Sequence, residues 1–304
     1  MGLSAFSEWA AGRRRLLPGR LWLIGGTAAI VTAADALASA TLTELSYRPV
    51  AWDALVYWEA LGRPDPYASS QVGVIGSYLY SPAFLLLLAP LAITGWHGFL
   101  FVLTGVLAAC AVWLSDAVPV AARPWWPVLG FLAVADIWAG NVHLPLTVAI
   151  VLGVRSGPAW AGVALTKVTP AVGVLWHVVR RDWRAVRAAA VAFVLVVGAS
   201  LVVGIEPWLG WFAMLTAQGD PVGFALLPLP LPIRLVAAAL VLAWAAAHDR
   251  PWVVPLGCLL AMPAIWPTGL VMVMGAVALA PPDAGRAAVR RPGAARSVGA
   301  TAAR

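Results

Sequence analysis

The sequence predicts an all-α, polytopic membrane protein of about ten transmembrane or re-entrant helices, on three observations. The 304-residue chain is 62% hydrophobic and only 11% charged, with a mean hydropathy of +0.87, whereas a soluble domain carries roughly a quarter charged residues. Its apolar stretches are long, continuous and rich in Ala, Leu and Val. Outer-membrane strands alternate over short segments instead, so a β-barrel is excluded. Its basic residues, 19 arginines and a single lysine, cluster between apolar segments in the pattern of the positive-inside rule. The net charge of +7 reads as topogenic arginines plus a basic tail, not as a nucleic-acid surface.

The elements follow in order. Arg13, Arg14, Arg15 and Arg20 form a basic cytoplasmic lead. The apolar run after them, 21–42, is too long for a signal-peptide core of roughly 7–15 residues and reads as an uncleaved first helix. Asp35 lies in its outer part, either snorkelling to the interface or facing the same cavity as Asp53. Residues 43–78 form an external loop. Within it, 53–61 predicts a short helix on the membrane surface, with Asp53, Tyr57 and Ala60 on one face and Leu55, Trp58 and Leu61 toward lipid. Arg63-Pro64-Asp65-Pro66 ends that helix. Residues 79–94 predict a second span, Trp96-His97-Gly98 an inner turn, 99–114 a third span and 115–124 an external loop. The apolar pieces 125–138 and 142–154 are short for full spans and meet at Gly140-Asn141, as a tilted pair or a re-entrant hairpin. A full-length helix over 159–179 carries Lys167 near its middle, and Arg180, Arg181, Arg184 and Arg187 mark a cytoplasmic turn.

After that turn, 188–205 runs outward, 206–228 forms a second external loop, and 229–247 returns inward to His248-Asp249-Arg250. Residues 252–280 are broken by Pro255, Pro263 and Pro267 into two short segments meeting near Trp266. This makes 1–280 a single membrane domain and 281–304 a basic, disordered cytoplasmic tail. On this topology Arg48, Arg63, Arg123 and Arg155 are the outer-loop arginines. No internal repeat is visible, which weighs against paired-repeat transporter plans. Cys110 and Cys258 lie inside apolar segments and read as small core residues.

Few residues carry chemistry. Asp53 and the rings of Tyr57 and Tyr67, with Tyr80 shortly after, put a carboxylate among aromatics at a membrane surface, which suits a site for a lipid-linked sugar. Asp53 also stands where a helix N-cap would, so base and cap are both open. Lys167 is the sole lysine in a chain that otherwise uses arginine, and it lies mid-membrane, where a charge costs a few kcal/mol or more unless paired or wetted. It either pairs with a buried carboxylate such as Asp136 or reaches an anionic headgroup as a compact three-donor charge. Asn141 and His143 are either core polar groups or hydrogen-bond donors to a sugar or phosphate. There is no zinc spacing, Asp-x-Asp pair, Walker loop or Gly-x-Ser-x-Gly, so no metal or cofactor is expected.

Three motifs in order carry a resemblance. W-D-A-L-V-Y-W-E-A-L-G-R-P-D-P-Y leads to Y-L-Y-S-P-A-F-L-L-L-L-A-P-L; W-A-G-N-V-H-L-P-L follows; then A-G-V-A-L-T-K-V-T-P leads to R-R-D-W-R. Together they span about residues 50–185 and resemble glycosyltransferase family 87, polyprenol-phosphate-mannose-dependent α-mannosyltransferases of the GT-C superfamily, of which this chain would be a short member. The resemblance implies a GT-C-like fold in the plasma membrane with its active site on the external face. The donor would be a membrane-embedded polyprenyl-phosphate sugar, most often mannose, and the acceptor a glycolipid or polysaccharide. Asp53 would be the general base of an inverting transfer. Tyr57, Tyr67, Tyr80, Asn141, His143 and Lys167 would line the donor and acceptor sites. The alternatives are a non-catalytic transporter or flippase of lipid-linked precursors and an inactive partner of a cell-envelope complex.

Overall fold

The computed structural model describes residues 17–41, 49–71, 74, 76–217 and 226–281, and every regular element among them is helical. The basic lead before residue 17, residues 218–225 with Gln218 and Asp220, Arg48, and the expected disordered tail after 281 lie outside the described residues. In chain order the helices are α1 (Leu17–Thr41), α2 (Trp52–Gly62), α3 (Pro82–Leu88), α4 (Gly95–Ala117), α5 (Trp126–Ala139), α6 (His143–Ser156), α7 (Ala159–Thr166), α8 (Leu175–Val179), α9 (Trp183–Ser200), α10 (Glu206–Thr216), α11 (Leu231–Ala247), α12 (Val254–Leu260) and α13 (Val273–Ala278). Short 3-10 turns extend α3 over Ala89–Thr94, precede α8 over Thr169–Val174 and precede α13 over Pro267–Met272. Among the described residues, three helical stretches are long and apolar enough to cross a membrane: Gly19–Thr41, Pro82–Ala117 and Trp183–Val203. The other apolar helices are shorter, and most are arms of hairpins.

Two contacts orient the first long pair. Arg20, at the start of α1, donates to Asp116 at the end of α4 at 2.9 Å. Near the other end, Trp96 Nε1 donates to Asp35 at 2.7 Å. The helices are therefore antiparallel. Trp96 and Phe99 both pack against Trp58 of α2, with ring centroids 6.1 and 5.4 Å away. The turn at Gly95, held at φ 69, thus lies at the same end as the α2 loop. This corrects three expectations. Residues 79–94 are not a span: α3 and its 3-10 extension stay beside α2, as the Tyr57–Phe84 ring contact also shows. The turn after α4 then falls at the arginine-bearing end. Nor does Trp58 of α2 turn toward lipid, because it packs against Trp96 and Phe99. Asp35 is buried against Trp96, so it does not snorkel to the interface.

Three hairpins fill the bundle. The first, α5–α6, turns at Gly140-Asn141, the junction that both sequence expectations share. The second replaces the expected full-length helix. Pro170 lacks an N–H and its ring crowds the carbonyl four residues earlier, which belongs to Thr166, the last residue of α7. The chain extends at Lys167 (φ −140, ψ 115) and doubles back through α8. Trp160 closes this hairpin tightly. A Cβ on Gly173 would collide with its ring, and one on Gly153 would sit 2.9 Å away. Both arms of the hairpin therefore begin and end near Arg180 and Asp182, where His177 shares a hydrogen bond with the Gly153 carbonyl at 2.9 Å.

The third hairpin, α12 to α13, breaks between residues 260 and 267, close to the expected Trp266. Gly275 of its return arm faces Pro255 at the start of the outgoing one. The second and third hairpins thus start and finish at one end of the molecule, here the basic end. Arg155 at the end of α6 and the turn containing Arg123 also lie there, not in outer loops as expected. The opposite, site end holds Arg63, paired with Glu59, and the buried Arg234. Both cysteines are free, Cys258 buried beside Gly173.

Candidate functional site

The site forms where the start of α2 abuts the α5–α6 turn. Gly140 takes the left-handed conformation (φ 70) that ends α5, and its N–H donates to the Ile137 carbonyl at 3.0 Å. Glycine is required twice over, because a Cβ there would lie 2.7 Å from Ala54 Cβ and 3.1 Å from Ala54 N. Ala51, also left-handed at φ 56, donates its N–H to the Trp138 carbonyl at 2.9 Å. An alanine held there costs about 1 kcal/mol, and such strain persists where surrounding structure imposes it. Gly140→Ala is accordingly expected to lower stability by about 2 kcal/mol and to open the contact between α2 and the turn. Gly162→Ala, in α7 with nothing within 4 Å of its Cβ, is expected to cause no loss. Thermal unfolding of the two variants in detergent checks this.

Ala51 occupies the N-cap position and no side chain caps α2, so the capping role open to Asp53 is not taken. Asp53 sits in the first helical turn, where the helix dipole favours a carboxylate. Asn141 Nδ2 donates to Asp53 Oδ2 at 2.6 Å, and Asn141 Oδ1 accepts from Val142 N–H at 2.7 Å, which fixes the amide's orientation. Burial pushes the Asp53 carboxyl up to about 6, against the opposing pull of the Asn141 hydrogen bond and the Lys167 charge.

Two residues beyond Asn141, His143 shares a 3.0 Å hydrogen bond between Nδ1 and Asp136 Oδ1, and its Nε2 lies 2.9 Å from Lys167 Nζ. Asp136 Oδ2 accepts from Leu144 N–H at 3.0 Å. The expected alternative, direct pairing of Lys167 with Asp136, gives way to pairing through His143. Lys167 stands at the tip of the second hairpin, held there because the hydroxyl and N–H of Ser81 both donate to the Leu165 carbonyl. The face of Tyr80 lies 5.6 Å from Nζ, within cation–π range. The hydroxyls of Tyr57 and Tyr80 share a 2.9 Å hydrogen bond, and Tyr67 Oη donates to the Tyr80 carbonyl at 2.9 Å. All seven residues singled out from the sequence, Asp53, Tyr57, Tyr67, Tyr80, Asn141, His143 and Lys167, thus fall into one connected cluster.

α10, at the start of the second loop, packs against this cluster. Trp211 of α10 donates to the Leu79 carbonyl at 3.2 Å, and a Cβ on Gly210 would lie 3.3 Å from the Tyr67 ring. Thr169, two residues from Lys167, has a buried hydroxyl without a partner among the described residues, whereas Thr166 spends its hydroxyl on its own helix.

Besides Asp136, a second residue is absent from the set expected from sequence. Arg234, almost fully buried in α11, donates to the carbonyls of Leu229, Met262 and Pro263, the last two at the break of the third hairpin. A signal for it exists, since an arginine inside an apolar run is as costly as Lys167 and demands partners. A Cβ on Gly269, on the return arm of that hairpin, would lie 3.8 Å from His143 Nε2, so the third hairpin also borders the site.

A family model described as "Glycosyltransferase family 87" matches residues 78–303, about three quarters of the chain. The chain belongs to glycosyltransferase family 87. No curated protein and no solved structure matches it. The matched region of this family 87 glycosyltransferase contains Tyr80, Asp136, Asn141, His143, Lys167 and Arg234. Asp53, Tyr57 and Tyr67 precede it. They are tied to it by the Asn141–Asp53 and Tyr–Tyr hydrogen bonds, so the glycosyltransferase's polar cluster spans both parts of the chain.

Proposed function

We propose that this glycosyltransferase moves a sugar, mannose in the first instance, from a polyprenyl-phosphate donor to a glycolipid or polysaccharide acceptor at the outer face of the plasma membrane. A GT-C-like plan fits this reading. The observation that supports it is the placement of Asp53 and Lys167 in one cluster, at the end of the bundle opposite most of the described arginines. The positive-inside rule puts that end outside.

In this reading the donor phosphate lies against the Lys167 ammonium. The acceptor hydroxyl attacks the anomeric carbon from the opposite face while Asp53 takes its proton. The bond from that carbon to the phosphate oxygen breaks, and its electron pair leaves on the phosphate. A lipid phosphate is a good leaving group and needs no acid, so one carboxylate suffices, in contrast to glycoside hydrolysis. A single displacement inverts the anomeric configuration. Lys167 offsets the charge that grows on the departing oxygen.

The test is incubation of the purified protein with radiolabelled polyprenyl-phosphate mannose and membrane lipid extract, followed by analysis of the labelled products. A new labelled glycan or glycolipid is expected. Label recovered only in the donor would overturn the reading.

The pH profile gives a second check. Asp53 acts as a base only when ionised, and burial holds its carboxyl up at about 6. Turnover is therefore expected to be level above that value and to fall about tenfold per pH unit below it. A profile flat down to pH values near the ordinary carboxylate range would remove Asp53 from the role.

A further inference from the structure

The Asp136–His143–Lys167 chain assigns a role to a residue that neither contacts the donor in the reading above nor belongs to the set of site residues expected from sequence. A lysine ammonium has three N–H donors and no acceptor. At 2.9 Å from it, His143 Nε2 must be the accepting nitrogen, so the ring proton sits on Nδ1. That Nδ1–H has an acceptor in Asp136 Oδ1, and the remaining carboxylate oxygen is engaged by Leu144 N–H. Asp136 and His143 are both fully buried, so bulk water does not compete for either contact.

We infer that Asp136 is a positioning residue: it locks His143 in the Nδ1–H tautomer, so that Nε2 anchors one N–H of Lys167 and leaves the ammonium's other two for a lipid phosphate. Without that lock the ring can flip its proton to Nε2, where it would confront the ammonium with a donor and push it off the headgroup. This deepens the donor reading proposed above and rests on it.

The experiment measures equilibrium binding of a radiolabelled polyprenyl monophosphate to the full chain in lipid nanodiscs. Four proteins are compared: wild type, Asp136→Asn, His143→Gln and the double variant. Glutamine at 143 offers an amide oxygen to Lys167 whatever Asp136 does. Asp136→Asn is expected to weaken binding about tenfold in the wild-type background and less than twofold in the His143→Gln background. Equal losses in both backgrounds would mean that Asp136 only supports the backbone at Leu144, and no loss in the first would mean that it does nothing for the ligand. Either result overturns the inference. The ¹⁵N spectrum of wild-type histidines, assigned by the His143→Gln variant, needs no altered carboxylate to fold. A protonated Nδ1 at His143 supports the lock and a protonated Nε2 overturns it. Binding with the expected coupling but no sugar transfer would sink the enzymatic reading and leave the positioning role standing. No binding by the wild type would sink the donor reading, and this role with it.

Discussion

Asp53→Asn is expected to cut sugar transfer about a thousandfold while the protein still folds and inserts. Asparagine has nearly the same shape as aspartate, and its amide oxygen can still accept the hydrogen bond from Asn141. The start of α2 is held by Ala51 and Gly140, not by the Asp53 side chain, so the local backbone has no reason to move. What disappears is basicity. Removing a positioned general base typically costs about 10²–10⁴ in rate, and a thousandfold corresponds to about 4 kcal/mol of barrier. The measurement is turnover of labelled donor by purified variant and wild type at pH 8, where the wild-type carboxyl is ionised. Unfolding temperature serves as the control for folding. Retention of a tenth or more of wild-type turnover would show that the acceptor proton goes elsewhere.

Lys167→Gln is expected to lower kcat/KM for the donor by at least about a hundredfold. Glutamine keeps an N–H donor for His143 Nε2, so the buried histidine is not stranded, but the positive charge is gone. Charge placed beforehand where an anion develops is worth about 10²–10³ in rate, because nothing must reorganise as the bond breaks. Both ground-state binding of the phosphate and stabilisation of the leaving group should suffer, so KM rises as kcat falls. Lys167→Arg is not expected to rescue, since a planar guanidinium cannot take the place of a compact ammonium between His143 and the Tyr80 ring. The two variants together separate catalysis from carriage. A protein that merely moved a lipid-linked sugar across the membrane would fail with Lys167→Gln and tolerate Asp53→Asn.

Much of the site is legible in the chain because each feature breaks a local rule. A single lysine among nineteen arginines, placed in an apolar run, must have partners. Gly140-Asn141 interrupts two apolar pieces, and a glycine there permits the left-handed turn that delivers Asn141 to Asp53. Pro170 ends α7 for a reason visible in the sequence, yet the apolar run on either side of it predicts one continuous helix where the protein forms a hairpin. The difference has a physical source. Hydropathy reports that a segment is apolar, but an arm that turns back inside the bundle is as apolar as one that crosses.

The same ambiguity governs residues 79–94, which remain beside α2, and with them the side on which Arg123 and Arg155 fall. Arg234 carries the same cost in an apolar run as Lys167, and its carbonyl partners become visible only at the break of the third hairpin.

Composition and charge by themselves determined that this is a helical membrane protein with a basic end. The order of a few polar motifs determined its family and the residues worth watching. Both follow from local chemistry: apolar length, proline's missing N–H and the expense of a buried charge. Only the tertiary structure decided which of these residues meet. Asp53 reaches Asn141, and His143 stands between Asp136 and Lys167, through contacts between helices whose directions no single segment encodes. Those directions are set by how hairpins pack against one another, with Trp160 between two glycines and Ser81 on the Leu165 carbonyl, and that is a property of the assembled bundle.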